Sequence, residues 1–222
     1  MIDESKEPIK FLQRKLQKNY RSITGHFPSV KNNKSIPFES KLESELFLTL
    51  EFDDEVESYL EQPQITITVD GIEKTYHVDC YVHMNDTSTQ KDKIIEAKYV
   101  SEIEKDKEKY EKKFAAATVT VSNMGMDFLV YTDLIHSSKY IFNLDFLYRY
   151  ISSSRITEYD KKILDALGNK SMSVKEITEA LSNNRMEYAK ISNAIWGLVA
   201  HKYLTTDLEK DLNMQSIVKV NQ

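Results

Sequence analysis

An Asp-Gly pair at positions 70 and 71 separates two stretches rich in β-branched and aromatic residues, ITITV (65–69) and TYHVDCYV (75–82). The pair suits a two-residue type I′ turn, in which both central residues have a positive φ. Such stretches on both sides of an Asp-Gly pair predict a β-hairpin. We therefore expect antiparallel sheet in this region.

A helical pattern precedes the hairpin, over residues 35–51. Pro37 fits the first turn of a helix, because the missing N–H of proline costs no hydrogen bond there. Apolar residues recur at the spacing that places them on one helix face. They are Leu42, Leu46, Phe47 and Leu50.

Extended and helical patterns alternate after the hairpin. KIIEAKYV (93–100) predicts a third strand and MDFLVYTD (126–133) a fourth. The charge-dense segment 101–117 between them predicts an exposed helix, because its Glu–Lys spacing stabilises helices. Helix, three strands, helix and strand in this order predict a compact α/β unit over 35–150.

Only helical patterns follow a polar break at 152–154, and they end in a segment that could form a β-wing. Three short helices and a wing predict a small winged-helix-like C-terminal domain over 155–222, with Trp196 in its core. Gly168 is expected to end the first helix and Ser173 to cap the second. The predicted elements are helices at 159–167, 174–181 and 186–203, and the wing at 204–220.

The first 34 residues are predicted to form a basic helix (9–20) and an extended loop, SITGHFPSVKNNKSIP, which runs on to position 37. The net charge of −5 is unfavourable for binding phosphates, but this segment is locally basic. A solvated arm is the alternative to a DNA contact. The candidate DNA-binding residues are Lys10, Arg14, Lys15, Lys18, Arg21, Lys31 and Lys34.

Composition excludes several classes of protein. The chain has 222 residues, 41% hydrophobic and 29% charged, as in an ordinary globular protein. No apolar stretch approaches the roughly 20 residues of a bilayer helix, and the polar start MIDESKEPIK lacks the features of a secretory signal. Cys80 is the single cysteine, which excludes an intrachain disulfide and a thiolate zinc cluster. These features favour the cytoplasm.

Strand alternation brings candidate catalytic residues together. In the segment 75–82, Asp79 faces away from the apolar row that begins at Tyr76. In the segment 93–100, Glu96 and Lys98 share one face. If the two strands are neighbours, Asp79 and Glu96 approach each other, and two close carboxylates repel unless a cation lies between them.

A third carboxylate, Glu43, is expected from the helix over 35–51, on its inward apolar face. A carboxylate in that position is costly unless a cation or several donors meet it. Glu39, one turn earlier, is expected to support Glu43 or to compete with it.

Carboxylate oxygens without a His/Cys cluster favour Mg²⁺ over zinc, with Mn²⁺ able to substitute. Lys98 beside the metal suits hydrolysis, because it can orient or deprotonate a water or stabilise charge on a phosphate. Two ions are expected with DNA bound, since the phosphate supplies some of the ligands. The expected metal ligands are Glu43, Asp79, Glu96 and the backbone carbonyl of Ala97.

Other interpretations stay open. Glu96 and Lys98 could be surface residues of an edge strand. His77 could approach the metal or lie on a strand surface, and Gln62 could line the site or fix a turn. On the charged helix, Glu108 and Glu111 could add a ligand, although a solvated face explains them more simply.

Six motifs occur in the order found in one family, over residues 25–133: GHFPSVKNN, FESKLESELFLTLEFD, VESYLEQPQI, YHVDCYV, IIEAKY and MDFLVYTD. This part of the chain resembles the TnsA endonuclease subunit of heteromeric cut-and-paste DNA transposases, a branch of the PD-(D/E)xK nucleases. The resemblance implies a restriction-endonuclease-like α/β core with a mixed sheet. It also implies that Glu43, Asp79 and Glu96 hold Mg²⁺ while Lys98 assists hydrolysis on the 5′ side of each transposon end.

The resemblance further implies double-stranded DNA as substrate, a DDE-type transposase subunit and an AAA+ ATPase as partners, and a bacterial cytoplasmic location. Two other hypotheses remain: a free-standing PD-(D/E)xK restriction or repair nuclease, and a non-catalytic DNA-binding scaffold. Intact Glu43, Asp79 and Lys98 argue against the scaffold. In the C-terminal domain the scarcity of cations favours protein contact over DNA reading.

Overall fold

The computed structural model describes residues 23–151 and 158–221, together with Ile9. Apart from Ile9, the predicted basic helix over 9–20 lies outside the described residues, as does the break at 152–154. Ile9 is buried in an apolar cluster that includes Ile65. Five candidate DNA contacts also lie outside the described residues: Lys10, Arg14, Lys15, Lys18 and Arg21.

The chain divides into two compact units, one up to Ile135 and the other from His136 onward. The predicted boundary, between 150 and 155, falls later in the chain. The two boundaries differ because a helix over Ser138–Ile151 belongs to the second unit, where it packs against another helix. No sequence pattern indicates this helix. Within the described ranges, no helix has the length and apolar character needed to cross a bilayer.

A two-stranded hairpin, β1 (Gly25–Ser29) and β2 (Lys34–Phe38), opens the first unit. The prediction of an extended loop here is wrong, because the two segments pair antiparallel. Asn33 helps to close the turn with a φ of 49°. Pro28 and Pro37 are tolerated in the strands because both strands of an isolated pair are edge strands, where a missing N–H need not break the ladder.

Helix α1 spans Lys41–Glu51 and begins later than predicted. Pro37 lies in β2 rather than at the helix start, because the chain is still paired in the hairpin there. Ser40 caps the helix by accepting a hydrogen bond from the backbone N–H of Glu43. The buried face of α1 carries the four predicted apolar residues, Leu42, Leu46, Phe47 and Leu50.

A long antiparallel hairpin follows α1. Asp70 and Gly71 form its turn with φ values of 52° and 77°, as a type I′ turn requires. One arm contains β3 (Val56–Glu61) and β4 (Gln64–Val69), and the other contains β5 (Ile72–His77) and β6 (Cys80–Met84). The Asp-Gly hairpin is therefore confirmed, and it extends further in both directions than predicted.

This hairpin is bent, which corrects the predicted single strand over 75–82. The strand breaks at Val78 and Asp79, between β5 and β6. On the other arm Gln62 has a φ of 51°, and its N–H donates to the Asp79 carbonyl at 3.0 Å. Beyond the bend β4 and β5 pair only with each other, whereas β3 and β6 belong to a larger sheet. Asp79 therefore lies at a corner of the fold.

The larger sheet has the strand order β3-β6-β7-β8 and is mixed, as expected. Strand β7 (Lys93–Ala97) is antiparallel to β6, and β8 (Asp127–Tyr131) is parallel to β7. Helices α2 (Val100–Lys105) and α3 (Lys107–Asn123) connect β7 to β8. A parallel pair needs such a crossover, because its strands run in the same direction.

Helix α3 packs on the same side of the sheet as the β4–β5 part of the bent hairpin. Ile94 of β7 shares an apolar cluster with Val78 and with Ala117 of α3. Because side chains alternate along a strand, Glu96 projects from the same face of β7 as Ile94. The face of β7 that carries Glu96 is therefore turned toward α3.

The second unit is helical with a small sheet. The predicted helices lie close to their expected positions, Ser173 forms a capping box with Glu176, and Gly168 ends the first of them. Trp196 is buried, with its ring edge-on to Phe146 at 5.4 Å. The helices are α4 (Ser138–Ile151), α5 (Asp160–Leu167), α6 (Val174–Leu181) and α7 (Arg185–Ala200). The strands β9 (Met172–Ser173), β10 (Leu204–Thr205) and β11 (Ile217–Val220) pair in the order β10-β11-β9.

Candidate active site

Asp79 reaches from the bend of the hairpin to the end of β7. Its Oδ2 accepts a hydrogen bond of 2.7 Å from the backbone N–H of Ala97. Its carbonyl accepts a hydrogen bond from Gln62. Both the backbone and the side chain of Asp79 are therefore fixed beside the strand that carries Glu96.

Glu96 is buried on β7, with 4% of its surface exposed. Its Oε1 lies 3.5 Å from Nζ of Lys113 on α3. Its Oε2 is buried and has no hydrogen-bond partner among the described residues. Because β7 lies between β6 and β8, Glu96 is not a surface residue of an edge strand. A buried carboxylate oxygen without a donor is costly unless a cation or a water meets it.

Glu43 lies in the first turn of α1 and is also buried. Its Oε1 accepts a hydrogen bond from the Ser40 hydroxyl, and its Oε2 accepts one from the backbone N–H of Glu39, both at 2.9 Å. Glu39 itself precedes the helix, and its Oε1 is buried without a hydrogen bond from any described residue. Glu43 therefore combines an inward position with a role in closing the helix start.

Lys98 directly follows β7, and its backbone N–H donates to the Tyr131 carbonyl at 2.9 Å. This bond continues the β7–β8 pairing by one residue. Its Nζ lies 3.6 Å from a carboxylate oxygen of Glu102, which is one turn further along the chain in α2. The side chain is partly buried, so its charge acts within the site rather than only in solvent.

The charges of these residues interact. Burial raises the pKa of Asp79 well above its ordinary value, and the charges of Glu96 and Glu43 raise it further. Burial also raises the pKa of Glu43. For Lys98, burial lowers the pKa, but the carboxylates of Glu96 and Asp79 outweigh it and the net pKa is raised. The fold therefore brings the four predicted catalytic residues into one electrostatic environment.

Lys113 is a site residue that the sequence interpretation missed. Besides its contact with Glu96, its Nζ lies 3.6 Å from the centre of the Tyr76 ring. The hydroxyl of Tyr76 is buried close to Glu96, and burial and the Glu96 charge raise the pKa of Tyr76. Helical spacing could have indicated Lys113, since it lies three residues after Tyr110 and four before the buried Ala117.

The remaining candidates lie around the site or away from it. His77 is exposed at the end of β5. Gln62 contacts Asp79 through its backbone, which fits the turn interpretation. Glu108 and Glu111 lie 3.2 and 3.7 Å from lysines on the outer face of α3, which fits the solvated-face interpretation. Neither glutamate is paired with the catalytic residues.

The two described candidates for DNA binding in the entry segment have contacts within the protein. Lys31 Nζ donates to the backbone carbonyl of Asp53 at 2.7 Å and also to that of Val56. Lys34 Nζ lies 3.2 Å from Glu61 in an exposed ion pair. Lys31 therefore ties the β1–β2 turn to the end of α1, whereas Lys34 remains 40% exposed.

The motif GHFPSVKNN is explained by a buried carboxylate at the end of α1. Glu51 Oε1 accepts hydrogen bonds from the hydroxyls of Ser29 (2.5 Å) and Tyr59 (2.7 Å). Its Oε2 accepts from the backbone N–H groups of Val30 and Lys31. Four donors to one carboxylate satisfy its charge, so Glu51 fastens the hairpin to the helix rather than serving the site.

The oxygen ligands available around Glu96 are of the kind that a hard divalent cation prefers. The negative charge of Glu96 raises the pKa of Asp79, which shows that the two carboxylates are close. The backbone N–H of Ala97 donates a hydrogen bond to Asp79. Oε2 of Glu96 is buried without a hydrogen bond from any described residue. Within 23–151 and 158–221, no group of three or more His, Cys, Asp or Glu side chains is placed to hold a metal ion. The two oxygens of Glu43 are engaged with Ser40 and Glu39.

A lysine-lined depression lies where the tip of the bent hairpin meets the α2–α3 junction. Asp70, Asp106 and Glu108 also line it. Lys112 at its edge is paired with Asp70 and Glu108. The other cations of the depression, which we call the lysine surface, are Lys74, Lys105, Lys107 and Lys109.

Comparison with protein families gives two matches in chain order. Residues 53–133 match the model of the TnsA-like endonuclease N-terminal region, and residues 137–208 match that of the TnsA endonuclease C-terminal region. The first match contains Asp79, Glu96 and Lys98, whereas Glu43 precedes it. No individual curated protein matches the sequence. Because both family regions occur consecutively and together cover most of the chain, the protein belongs to the TnsA endonuclease family.

Proposed function

We propose that this protein is the Mg²⁺-dependent endonuclease subunit of a heteromeric cut-and-paste transposase. It hydrolyses one phosphodiester bond on the 5′ side of each transposon end. The observation that carries the proposal is the burial of the Glu96 carboxylate in the same electrostatic environment as Asp79 and Lys98. Membership of the TnsA family supports it.

Asp79 and Glu96 would hold the metal, together with the Ala97 carbonyl and Glu43, whose oxygens also accept hydrogen bonds at the start of α1. Bound Mg²⁺ supplies Lewis-acid polarisation of a phosphate oxygen and a water of lowered pKa, and Mn²⁺ can replace it. A second ion is expected with DNA bound, because the phosphate adds oxygen ligands.

Lys98 has the chemistry to act on the reacting phosphate. Its raised pKa keeps the ammonium charged at neutral pH, so it suits stabilising negative charge on a phosphate oxygen or orienting the attacking water. A charged ammonium is a poor general base. We therefore assign Lys98 to charge stabilisation rather than to proton abstraction.

The lysine surface is the proposed track for the DNA backbone. Its members lie on the hairpin and on the helices that directly follow Lys98 in the chain. Phosphate contacts of this kind give affinity without sequence preference. The candidates Lys10, Arg14, Lys15, Lys18, Arg21 and Lys34 of the N-terminal segment would supply further phosphate contacts.

The proposed partners are a DDE-type transposase subunit, which cuts and joins the other strands, and an AAA+ ATPase, which regulates both. Helices α5 to α7 and the β9–β11 sheet support a winged-helix-like interpretation of the second unit. On helix α7 only Arg185 and Lys190 are basic, which favours a protein contact for this unit over DNA reading.

A cleavage assay on a duplex that carries a transposon end tests the proposal. The protein is incubated with Mg²⁺, with and without the transposase subunit, and the cut is mapped on the 5′ side by end labelling. Asp79→Asn, Glu96→Gln and Lys98→Met should each reduce cutting by at least about a hundredfold. Glu45→Gln on α1 is a matched control that should cut normally.

Three outcomes would count against the proposal. Cutting that survives Asp79→Asn would remove the active-site assignment. Efficient cutting of any duplex by the isolated protein would favour the free-standing nuclease. Binding of the transposon end without cutting, in the presence of all partners, would favour the scaffold.

A further inference from the structure

Lys113 places its partly buried amino group directly against a candidate metal ligand, where burial lowers the pKa of Lys113 and the Glu96 charge counteracts this. Its Nζ lies 3.5 Å from Oε1 of Glu96, and its side chain is 29% exposed. The Nζ also lies 3.6 Å from the centre of the Tyr76 ring. Because Tyr76 is buried, with 4% of its surface exposed, the ring is a fixed platform for the ammonium.

The two lysines of the site differ in their contacts. Lys98 forms its ion pair with Glu102, which lies outside the proposed ligand set. Lys113 forms its ion pair with Glu96 itself, on the oxygen that is not the unpartnered one. Of these two lysines, Lys113 is therefore the direct counter-ion of the candidate ligand.

We propose that Lys113 is a built-in counter-ion of Glu96 that weakens divalent metal binding by this site before DNA arrives. The proposal rests on the proposed function, because it assigns Glu96 to the metal. A fixed positive charge at ion-pair distance from a ligand repels a second cation at the same carboxylate, and the effect is strong where the surroundings are partly desolvated. Lys113 is thus a positioning and charge-setting residue, which does not touch the substrate.

The opposite role makes the opposite prediction. If Lys113 served only to orient Glu96 toward the metal, its loss would weaken metal binding. If it serves as a competing charge, its loss strengthens metal binding. The sign of the change in metal affinity therefore separates the two roles without any measurement of cleavage.

The test measures Mn²⁺ binding to the full-length protein, stripped with chelator, by titration calorimetry or by the electron paramagnetic resonance signal of free Mn²⁺. Lys113→Met keeps an apolar chain on Tyr76 but removes the charge, and Lys113→Arg keeps the charge. Lys112→Met removes a neighbouring charge on the same helix that is paired with Asp70 and Glu108 instead.

Lys113→Met should bind Mn²⁺ about three- to tenfold more tightly than the wild type, whereas Lys113→Arg and Lys112→Met should bind like the wild type. Equal or weaker binding by Lys113→Met would overturn the proposal, and so would an equal gain in Lys112→Met. Wild-type protein without Asp79-dependent Mn²⁺ binding would overturn the metal site of the proposed function as well. Asp79-dependent binding without a gain in Lys113→Met overturns only the role of Lys113.

Discussion

Asp79 accepts a hydrogen bond of 2.7 Å from the backbone N–H of Ala97, which joins the bend of the long hairpin to the end of β7. The bond fixes a carboxylate that burial and two neighbouring acids would otherwise disfavour as an anion. The position of Asp79 thus depends on the hairpin bend at Gln62 as much as on its own strand.

Asp79→Asn should stabilise the protein in the presence of chelator while abolishing cleavage. Asparagine still accepts the Ala97 hydrogen bond through its amide oxygen but carries no buried charge. Because the folded-state pKa of Asp79 is raised, the wild type loses stability as the pH rises from the ordinary Asp pKa of 3.8 through the raised value. We expect a gain in unfolding free energy of roughly 1–2 kcal/mol at neutral pH.

Chemical denaturation at several pH values checks this prediction. The advantage of Asp79→Asn should shrink as the pH falls toward 3.8, and saturating Mg²⁺ should reverse it by stabilising only the wild type. A variant less stable than the wild type at neutral pH in chelator would contradict the electrostatic account.

Glu51→Ala should destabilise the protein by about 3 kcal/mol, because it removes the carboxylate that accepts hydrogen bonds from four donors, two of them in buried bonds. These donors are the hydroxyls of Ser29 and Tyr59 and two backbone N–H groups. Urea unfolding measures the loss. Glu45→Ala, on the same helix but in a surface pair with Lys41, should cost less than about 1 kcal/mol. Similar costs for both variants would show that the Glu51 contacts carry little energy.

Replacing Lys105, Lys107 and Lys109 by glutamine should weaken binding to duplex DNA and make it less dependent on salt. Each lost phosphate contact lowers the slope of log K against log salt by about 0.9. Fluorescence anisotropy over a salt series measures both quantities. A charge-matched control replaces three exposed lysines of the second unit by glutamine: Lys161, Lys170 and Lys175. An equal effect from the control would remove the assignment of the lysine surface.

His83 and Asp92 form an ion pair at the far end of β6 from the candidate site, at 3.1 Å. The hydrogen bond that His83 donates to the Asp92 carboxylate raises the pKa of His83, and the pKa of Asp92 is lowered because its hydrogen bonds outweigh burial. The His83 contribution to stability is complete below 6.5 and is lost as the pH rises through the raised value. The Asp92 contribution is complete above 3.8 and is lost as the pH falls through the lowered value.

His83→Gln should therefore cost more stability near pH 5.5 than near pH 8.5. The difference is about 0.5 kcal/mol, because the His83 side chain is 43% exposed and solvent screens the pair. Thermal unfolding at the two pH values measures it, with the exposed His26→Gln as the control. A cost that does not depend on pH would argue against the pair.

Local patterns predicted the parts of the fold that local physics determines. The Asp70–Gly71 turn, the apolar face of α1 and the capping Ser173 depend on residues within one turn or one helix. The β1–β2 hairpin was missed because Pro28 and Pro37 indicate a loop, whereas an isolated strand pair tolerates both. Strand β3 was missed because VESYLE mixes charged and apolar residues and gains its β structure by pairing with β6.

The candidate site was predictable in its residues but not in its contacts. Alternation indicated Asp79, Glu96 and Lys98, and the helix face indicated Glu43. Helical spacing could place Lys113 on the same side of α3 as Ala117, but it could not show the ion pair with Glu96, which depends on how α3 packs against β7. Nor could the pattern show that Lys31 would bind backbone carbonyls of residues more than twenty positions away.

Glu43 closes the first turn of α1 with the same oxygens that a metal would take. An ion that binds Glu43 shares these oxygens with the Ser40 hydroxyl and the Glu39 N–H, so metal binding alters the hydrogen bonds that begin the helix. Metal binding should then change the amide exchange of Glu39. The hydrogen bonds at the beginning of α1 thus report whether a metal ion is bound at the candidate site.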